Sequence, residues 1–240
     1  MTGAARPPAA AVTPAALASL ASHNATVASP GVLKDAHLRE HTLQSQQVYR
    51  GHFLDVRRDE VRLPDGSSAS REYIVHPGAV MIVPLLDDGR LIVERQWRYP
   101  LARTFVEFPA GKIDAGEPPL ACAIRELTEE TGYCAAEWAR AGLLHNAIAY
   151  SNEGIEVWFA RGLTAGARQL DSGEFLDVVS TSVDELDALA LSGELTDAKT
   201  LFGLLWLQNW RAGRWPLDWH SAESLGVAAD NAAMTAPDRP

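Results

Sequence analysis

Arg125, Glu126, Glu129 and Glu130 crowd three carboxylates and one guanidinium into a short stretch. If that stretch is helical, Glu126 and Glu130 stand one turn apart on one face, and Glu129 flanks them. Like charges so placed repel, costing an isolated helix about 0.2–0.5 kcal/mol per pair. A bound divalent cation turns that repulsion into coordination. Mg²⁺ suits such a site, because it takes a few carboxylates, keeps several waters and completes its shell with phosphate oxygens. Mn²⁺ accepts similar oxygen donors. Arg125, four residues before Glu129, is placed to orient it through an ion pair. A merely solvated acidic face is the commoner meaning of Glu-x-x-Glu-Glu, but the flanks argue against it. Gly111, Gly116 and Glu117 precede the cluster, and Gly132 follows as a left-handed helix stop.

The elements that must hold this cluster follow from the apolar pattern. VYRGHFLDVRRDEVRL alternates as an antiparallel strand pair, and Pro64-Asp65-Gly66 supplies a turn. SASREYIVH is a further strand, AVMIVPLL a buried one, and RLIVERQWRY another. TFVEFPAG is a short strand running into Gly111. PPLACAIRELTEETG is a helix, with Pro118-Pro119 in its first turn and an apolar stripe of Leu120, Ala123, Ile124 and Leu127. Beyond it, GIEVWFARGL and LDVVSTSV are strands and VDELDALALSG is a helix. Thr196 is placed to cap a last helix, DAKTLFGLLWLQNWRAG. The expected organisation is a disordered Ala/Pro/Ser-rich extension over 1–44, one domain over 45–217, and an irregular, poorly packed tail over 218–240.

Composition narrows the class. Of 240 residues, 47% are hydrophobic and 22% charged, as in ordinary globular proteins. No uncharged run reaches the ~18 apolar residues of a spanning helix, so no membrane association is expected. The N-terminus lacks a basic start and is broken by prolines, unlike a secretory signal. Cys122 and Cys134 are too few for a disulfide framework or a zinc site, which suggests reduced thiols in the cytoplasm. A net charge of −10 speaks against nucleic acid as partner.

Written out, the acidic stretch is Gly111, five residues, Glu117, seven residues, then Arg125-Glu126-Leu127-Thr128-Glu129-Glu130-Thr131-Gly132-Tyr133. This resembles the Nudix box, G-x5-E-x7-R-E-U-x-E-E-x-G-U, at every charged and glycine position, with Tyr133 at the last bulky aliphatic place. The runs ERQWRYPLARTFVEFPAGKIDAGE, SNEGIEVWFARGL and GELTDAKT are similar to those of ADP-ribose pyrophosphatases and their sugar-nucleotide relatives. The likeness covers roughly 46–212.

The resemblance implies an α/β fold: a Nudix-type α/β/α sandwich around a mixed β-sheet, with N-terminal antiparallel strands. It implies metal-dependent hydrolysis of ADP-ribose or a related nucleoside diphosphate sugar, giving a nucleoside monophosphate and a sugar phosphate. GDP-mannose or another sugar nucleotide is the alternative substrate. A non-catalytic ligand sensor is the alternative from another class, and it fits poorly with an intact box. Metal would be held by Glu126, Glu130 and the Ala110 carbonyl, with Glu129 assisting. Arg125 would orient, and Glu117 would tie loop to helix. Glu153 falls where relatives carry a glutamate that activates the attacking water, with Glu156 as rival. Arg98 and, more weakly, Arg95 would meet phosphate, each with a plain salt bridge as the alternative. Glu107 would contact substrate or serve structure, and Trp97 or Tyr73 would stack on a base or pack. A symmetric homodimer through the N-terminal strands is implied, with Arg71 reaching across. The loop from Asn146 to Ser151 departs from many ADP-ribose pyrophosphatases in lacking Pro-Gly.

Overall fold

The computed structural model describes residues 35–227. Three strands, β1 (His41–Arg50), β2 (Asp55–Arg62) and β3 (Ser68–Val75), form an antiparallel sheet in the order β1-β2-β3. β1 begins inside the segment expected to be extension. Its polar-rich sequence, HTLQSQQVYR, gives no clean alternation, and the ladder shifts register twice along it. All ten of its residues are exposed, so no buried face marked it in the sequence. The remainder of the expected extension, 1–34, lies outside the described residues.

At the centre lies a mixed sheet in the order β7-β4-β9-β8, formed by β4 (Ala79–Pro84), β7 (Ala110–Lys112), β8 (Tyr133–Leu144) and β9 (Ile155–Ala165). β4 and β9 run parallel, and the other pairs run antiparallel. A third sheet, β10-β5-β6, joins β5 (Leu91–Arg98), β6 (Arg103–Glu107) and β10 (Leu176–Thr181).

The continuous apolar run of β4 is explained by burial on both faces. Val80 and Ile82 point to α1 (Pro119–Glu126), meeting Leu120, Cys122, Ala123 and Leu127. Met81 and Val83 point the other way, into a core with Val93, Phe108 and Phe159. That second core is closed by Leu186 of α2 (Val183–Ser192) and by Leu204 and Leu207 of α3 (Ala198–Arg211). The mixed sheet is thus sandwiched, as the resemblance implies. On the α1 face Cys122 is fully buried, whereas Ile124 of the expected stripe is only half-buried.

Two local expectations are corrected. Asp197, not Thr196, caps α3, accepting from the Thr200 N–H at 3.0 Å. The Asp197 carboxylate accepts from both the Thr200 N–H and its hydroxyl, while the Thr196 hydroxyl accepts from Arg103. The tail is packed as far as it is described. His220 exchanges backbone hydrogen bonds with Trp138, and Trp219 stacks under Arg161.

Candidate active site

α1 does not run on as an α-helix to Gly132. It passes into a π-type turn over Leu127–Thr131, ended by Gly132 at φ 76. Such wide turns are rare and often mark functional sites. Here Leu127, Glu130 and Thr131 are turned inward, while Glu129 stays half-exposed. The carboxylates that close α1 therefore face the end of β7.

Gly111 on β7 lies directly under Glu126. A Cβ at that position would stand 1.9 Å from the Glu126 carboxyl carbon. The requirement for glycine here is thus one of space rather than backbone angle. Beside it the Ala110 N–H donates to Glu130 at 3.1 Å. Arg125 binds the Glu117 carboxylate with two nitrogens, at 2.9 and 3.0 Å, and donates to Glu126 at 2.8 Å and Glu129 at 3.0 Å. Its guanidinium holds Glu117 well below the usual carboxylate range, down to about 2. Burial pushes Glu130 far above that range, and Glu94 and Glu126 add to it. Burial also raises Glu126, against the pull of Arg125.

These residues open on a cleft of about 520 Å³, within the usual size for a small-molecule site. Glu126, Glu129 and Glu130 line one side, with Ala110 and Gly111 at its base. Glu153 and Asn146 come from the segment before β9, and Asp171 and Glu174 from the loop before β10. Arg98 and Lys199 stand on a further wall.

The remaining expected residues divide. Glu153 lies in the cleft with its carboxylate 3.5 Å from His76 Nε2. Its rival Glu156 is held by Arg140 at 2.5 and 2.9 Å. Arg98 lines the cleft, but its fork grips Glu107 at 2.7 and 2.8 Å. Glu107 is buried beneath it and also takes Lys199. Burial alone would raise Glu107, yet Arg98 and Lys199 together bring it below the normal range. Arg95 points to the opposite face of β5, near Asp177 at 3.6 Å, and lines a different groove with Phe105 and Leu186. Alternation along a strand forces that outcome, since Arg98 and Arg95 are three apart. Arg71 on β3 is paired with Glu40 at 2.6 Å, away from the cleft. Trp97 is exposed, and the Tyr73 hydroxyl donates to Asp59.

Among the described residues no three Asp, Glu, His or Cys groups converge as a finished metal cage. Glu126 and Glu129 turn to Arg125, and Glu130 to a backbone N–H. The donor set nonetheless fits a hard divalent cation. It is all oxygen, and the buried Glu130 carboxylate has only a backbone N–H as its partner.

The NUDIX domain family model matches residues 75–202, which holds this whole cluster. The chain belongs to the Nudix family. The nucleoside diphosphate sugar hydrolase N-terminal domain matches 40–74, the three-stranded sheet of β1 to β3. An ADP-ribose pyrophosphatase of Bacillus subtilis is 37% identical over 173 residues, covering 71% of this chain and 94% of that one. A methanol dehydrogenase activator of Bacillus methanolicus is 33% identical, covering 70% and 92%. The solved structure of an ADP compounds hydrolase superposes with a TM-score of 0.67 at 26% identity, covering 74% and 97%. The Nudix box thus sits where its spacing implied, at the junction of β7 and α1.

Sequence reasoning missed Glu94, Asp171, Glu174 and Lys199. A signal existed for Glu94, because alternation puts it on the same face of β5 as Gln96 and Arg98. For Asp171 and Glu174 none existed, since only the tertiary path of their loop brings them to the cleft.

Proposed function

We propose that this Nudix hydrolase cleaves the diphosphate bond of ADP-ribose or a related ADP-sugar, giving AMP and a sugar phosphate, with Mg²⁺ as its ion. The observation that carries this reading is the convergence of Glu126, Glu129, Glu130 and the Ala110–Gly111 backbone on one cleft. The names of the Bacillus subtilis relative and of the solved ADP compounds hydrolase support the ADP-sugar class. Glu126, Glu130 and the Ala110 carbonyl hold the ion, and Glu129 assists. The ion supplies neutralisation of the diphosphate and acidification of water. Arg125 keeps Glu126 and Glu129 in place through its own tether to Glu117.

Arg98 contributes positive charge to the cleft wall while Glu107 fixes its orientation. Arg95 lines another groove and takes no part in phosphate binding from its own chain. Two carboxylates compete to receive the proton of the attacking water. Glu153 stands beside His76. Glu174 lines the same cleft as Glu126 and Glu130, and Gln96 donates to it at 3.4 Å.

Chains pair in the cytoplasm as a symmetric homodimer through the exposed β1–β3 sheet. Leu43, Val48 and Tyr49 on β1 stand exposed and are suited to such burial. In the pair Arg71 exchanges Glu40 for the partner's substrate.

The test is a panel of ADP-ribose, other ADP-sugars and GDP-mannose with Mg²⁺ in heavy-oxygen water, with products identified by mass. AMP released fastest from an ADP-sugar is expected. Preferential turnover of GDP-mannose would move the substrate class. Parallel assays of Glu174→Gln and Glu153→Gln assign the base, which is the variant losing turnover rather than substrate affinity.

A further inference from the structure

The Lys199 side chain is only 12% exposed, so its ammonium is not an ordinary surface charge. Its Nζ lies between two carboxylates, binding Glu107 Oε2 and standing 2.9 Å from Asp197. Glu107 Oε2 also accepts from Arg98 Nη2, so Lys199 and Arg98 meet on one oxygen. Two cations and two carboxylates thus form a balanced network on the cleft wall.

This network is fixed from α3. The Asp197 oxygen that takes Lys199 also caps the helix, accepting from the Thr200 N–H at 3.0 Å and the Thr200 hydroxyl at 2.6 Å. The fully buried Thr200 hydroxyl accepts in turn from the Phe108 N–H at 3.0 Å. Lys199 therefore ties an anchored helix end to Glu107, the last residue of β6.

Arg98 stands at the outer end of the same chain of contacts. Its Nε and Nη2 are engaged by Glu107, and its side chain is 43% exposed and lines the cleft. The Nη1 edge is left for a phosphate oxygen. The plane of the Glu107 carboxylate sets the direction of that edge. A carboxylate gripped by Arg98 alone could turn with it, whereas Lys199 holds Glu107 independently of Arg98. Lys199 has its own charge balanced by two carboxylates, which makes it a poor direct ligand for phosphate.

We infer that Lys199 is a positioning residue for the substrate diphosphate, acting through Glu107 to hold Arg98 toward it. The inference rests on the proposed reading in which Arg98 meets the phosphates. The rival roles for Lys199 are direct contact with phosphate and a plain tie between α3 and β6.

A double-mutant cycle separates these roles. Wild type, Arg98→Ala, Lys199→Met and the double variant are assayed with Mg²⁺ and the ADP-sugar that wild type turns over fastest. Methionine keeps most of the lysine stem and removes the ammonium. Lys199→Met is expected to raise KM about tenfold while kcat changes less than about threefold, as for an interaction that serves binding. In the Arg98→Ala background the same substitution is expected to move KM less than about twofold, because nothing remains for Lys199 to position. A plain structural tie would lower kcat through loss of folded protein and leave KM alone, so a KM unmoved by Lys199→Met overturns the inference. Equal rises of KM in the two backgrounds also overturn it, since Lys199 would then act without Arg98. If Arg98→Ala itself leaves KM unchanged, the phosphate role of Arg98 fails and the inference falls with it. If Arg98→Ala raises KM and Lys199→Met does not, only the inference fails. Should Lys199→Met fail to fold by circular dichroism, Lys199→Gln, which keeps a donor toward the buried carboxylates, replaces it and is judged by the same comparisons.

Discussion

At the scale of single residues, Arg125 sets the electrostatics of the site. Its side chain is 31% exposed, yet it engages three carboxylates that would otherwise repel one another. Glu117 gains most, with its acidity strengthened from 4.5 to about 2, first by the Arg125 hydrogen bonds and then by the Asp114 N–H. Because its folded value lies below its unfolded one, the stabilisation is complete above pH 4.5 and disappears as pH falls toward 2. Glu117→Gln is therefore expected to lower stability at neutral pH by about 1–2 kcal/mol, discounted for solvent screening, and to flatten the acid limb. Urea midpoints at pH 7 and pH 3 check this. A variant as acid-sensitive as wild type would show that the loop-to-helix tie contributes little.

At the scale of elements, the site is a junction of β7 with the end of α1, and it works only if the two approach closely. Gly111→Ala would drive a methyl group into the Glu126 carboxylate. The expected outcome is a folded protein whose turnover falls by about 100-fold or more, because the proposed metal ligand Glu126 is displaced. Normal turnover in that variant would show that Glu126 can work from another position.

Much of this junction was legible in the sequence, since the box spacing encodes the strand end, the loop and the helix in one continuous segment. The apolar run of β4 likewise announced a strand buried on both faces. The π-type turn was not legible, because it arises from how Leu127 and Thr131 bury while Gly132 closes the chain. Nor was the partner of Arg98. The motif marked an arginine suited to phosphate, and only the pairing of β5 with β6 brought Glu107 under it. Asp197 displaced Thr196 as the α3 cap for a similarly local reason, through hydrogen bonds that spacing does not reveal.

At the scale of the whole molecule, the three sheets and three α-helices of the described residues frame the cleft, whose walls come from distant parts of the chain. The β1–β3 sheet stands outside that core, and β1 buries none of its residues in the isolated chain. Light scattering is expected to give twice the chain mass for wild type and a monomer for the double variant Leu43→Glu, Val48→Glu. A monomeric wild type would remove both the pairing and the role of Arg71 across it. The core claim, that the carboxylates at the end of α1 hold the metal that hydrolyses an ADP-sugar, is tested most directly by AMP release from ADP-ribose with Mg²⁺, comparing wild type with Glu126→Gln. A folded Glu126→Gln is expected to lose about 100-fold or more of its rate, and wild type to fall silent in EDTA. Full activity in the variant, or wild-type hydrolysis that persists without metal, would contradict it.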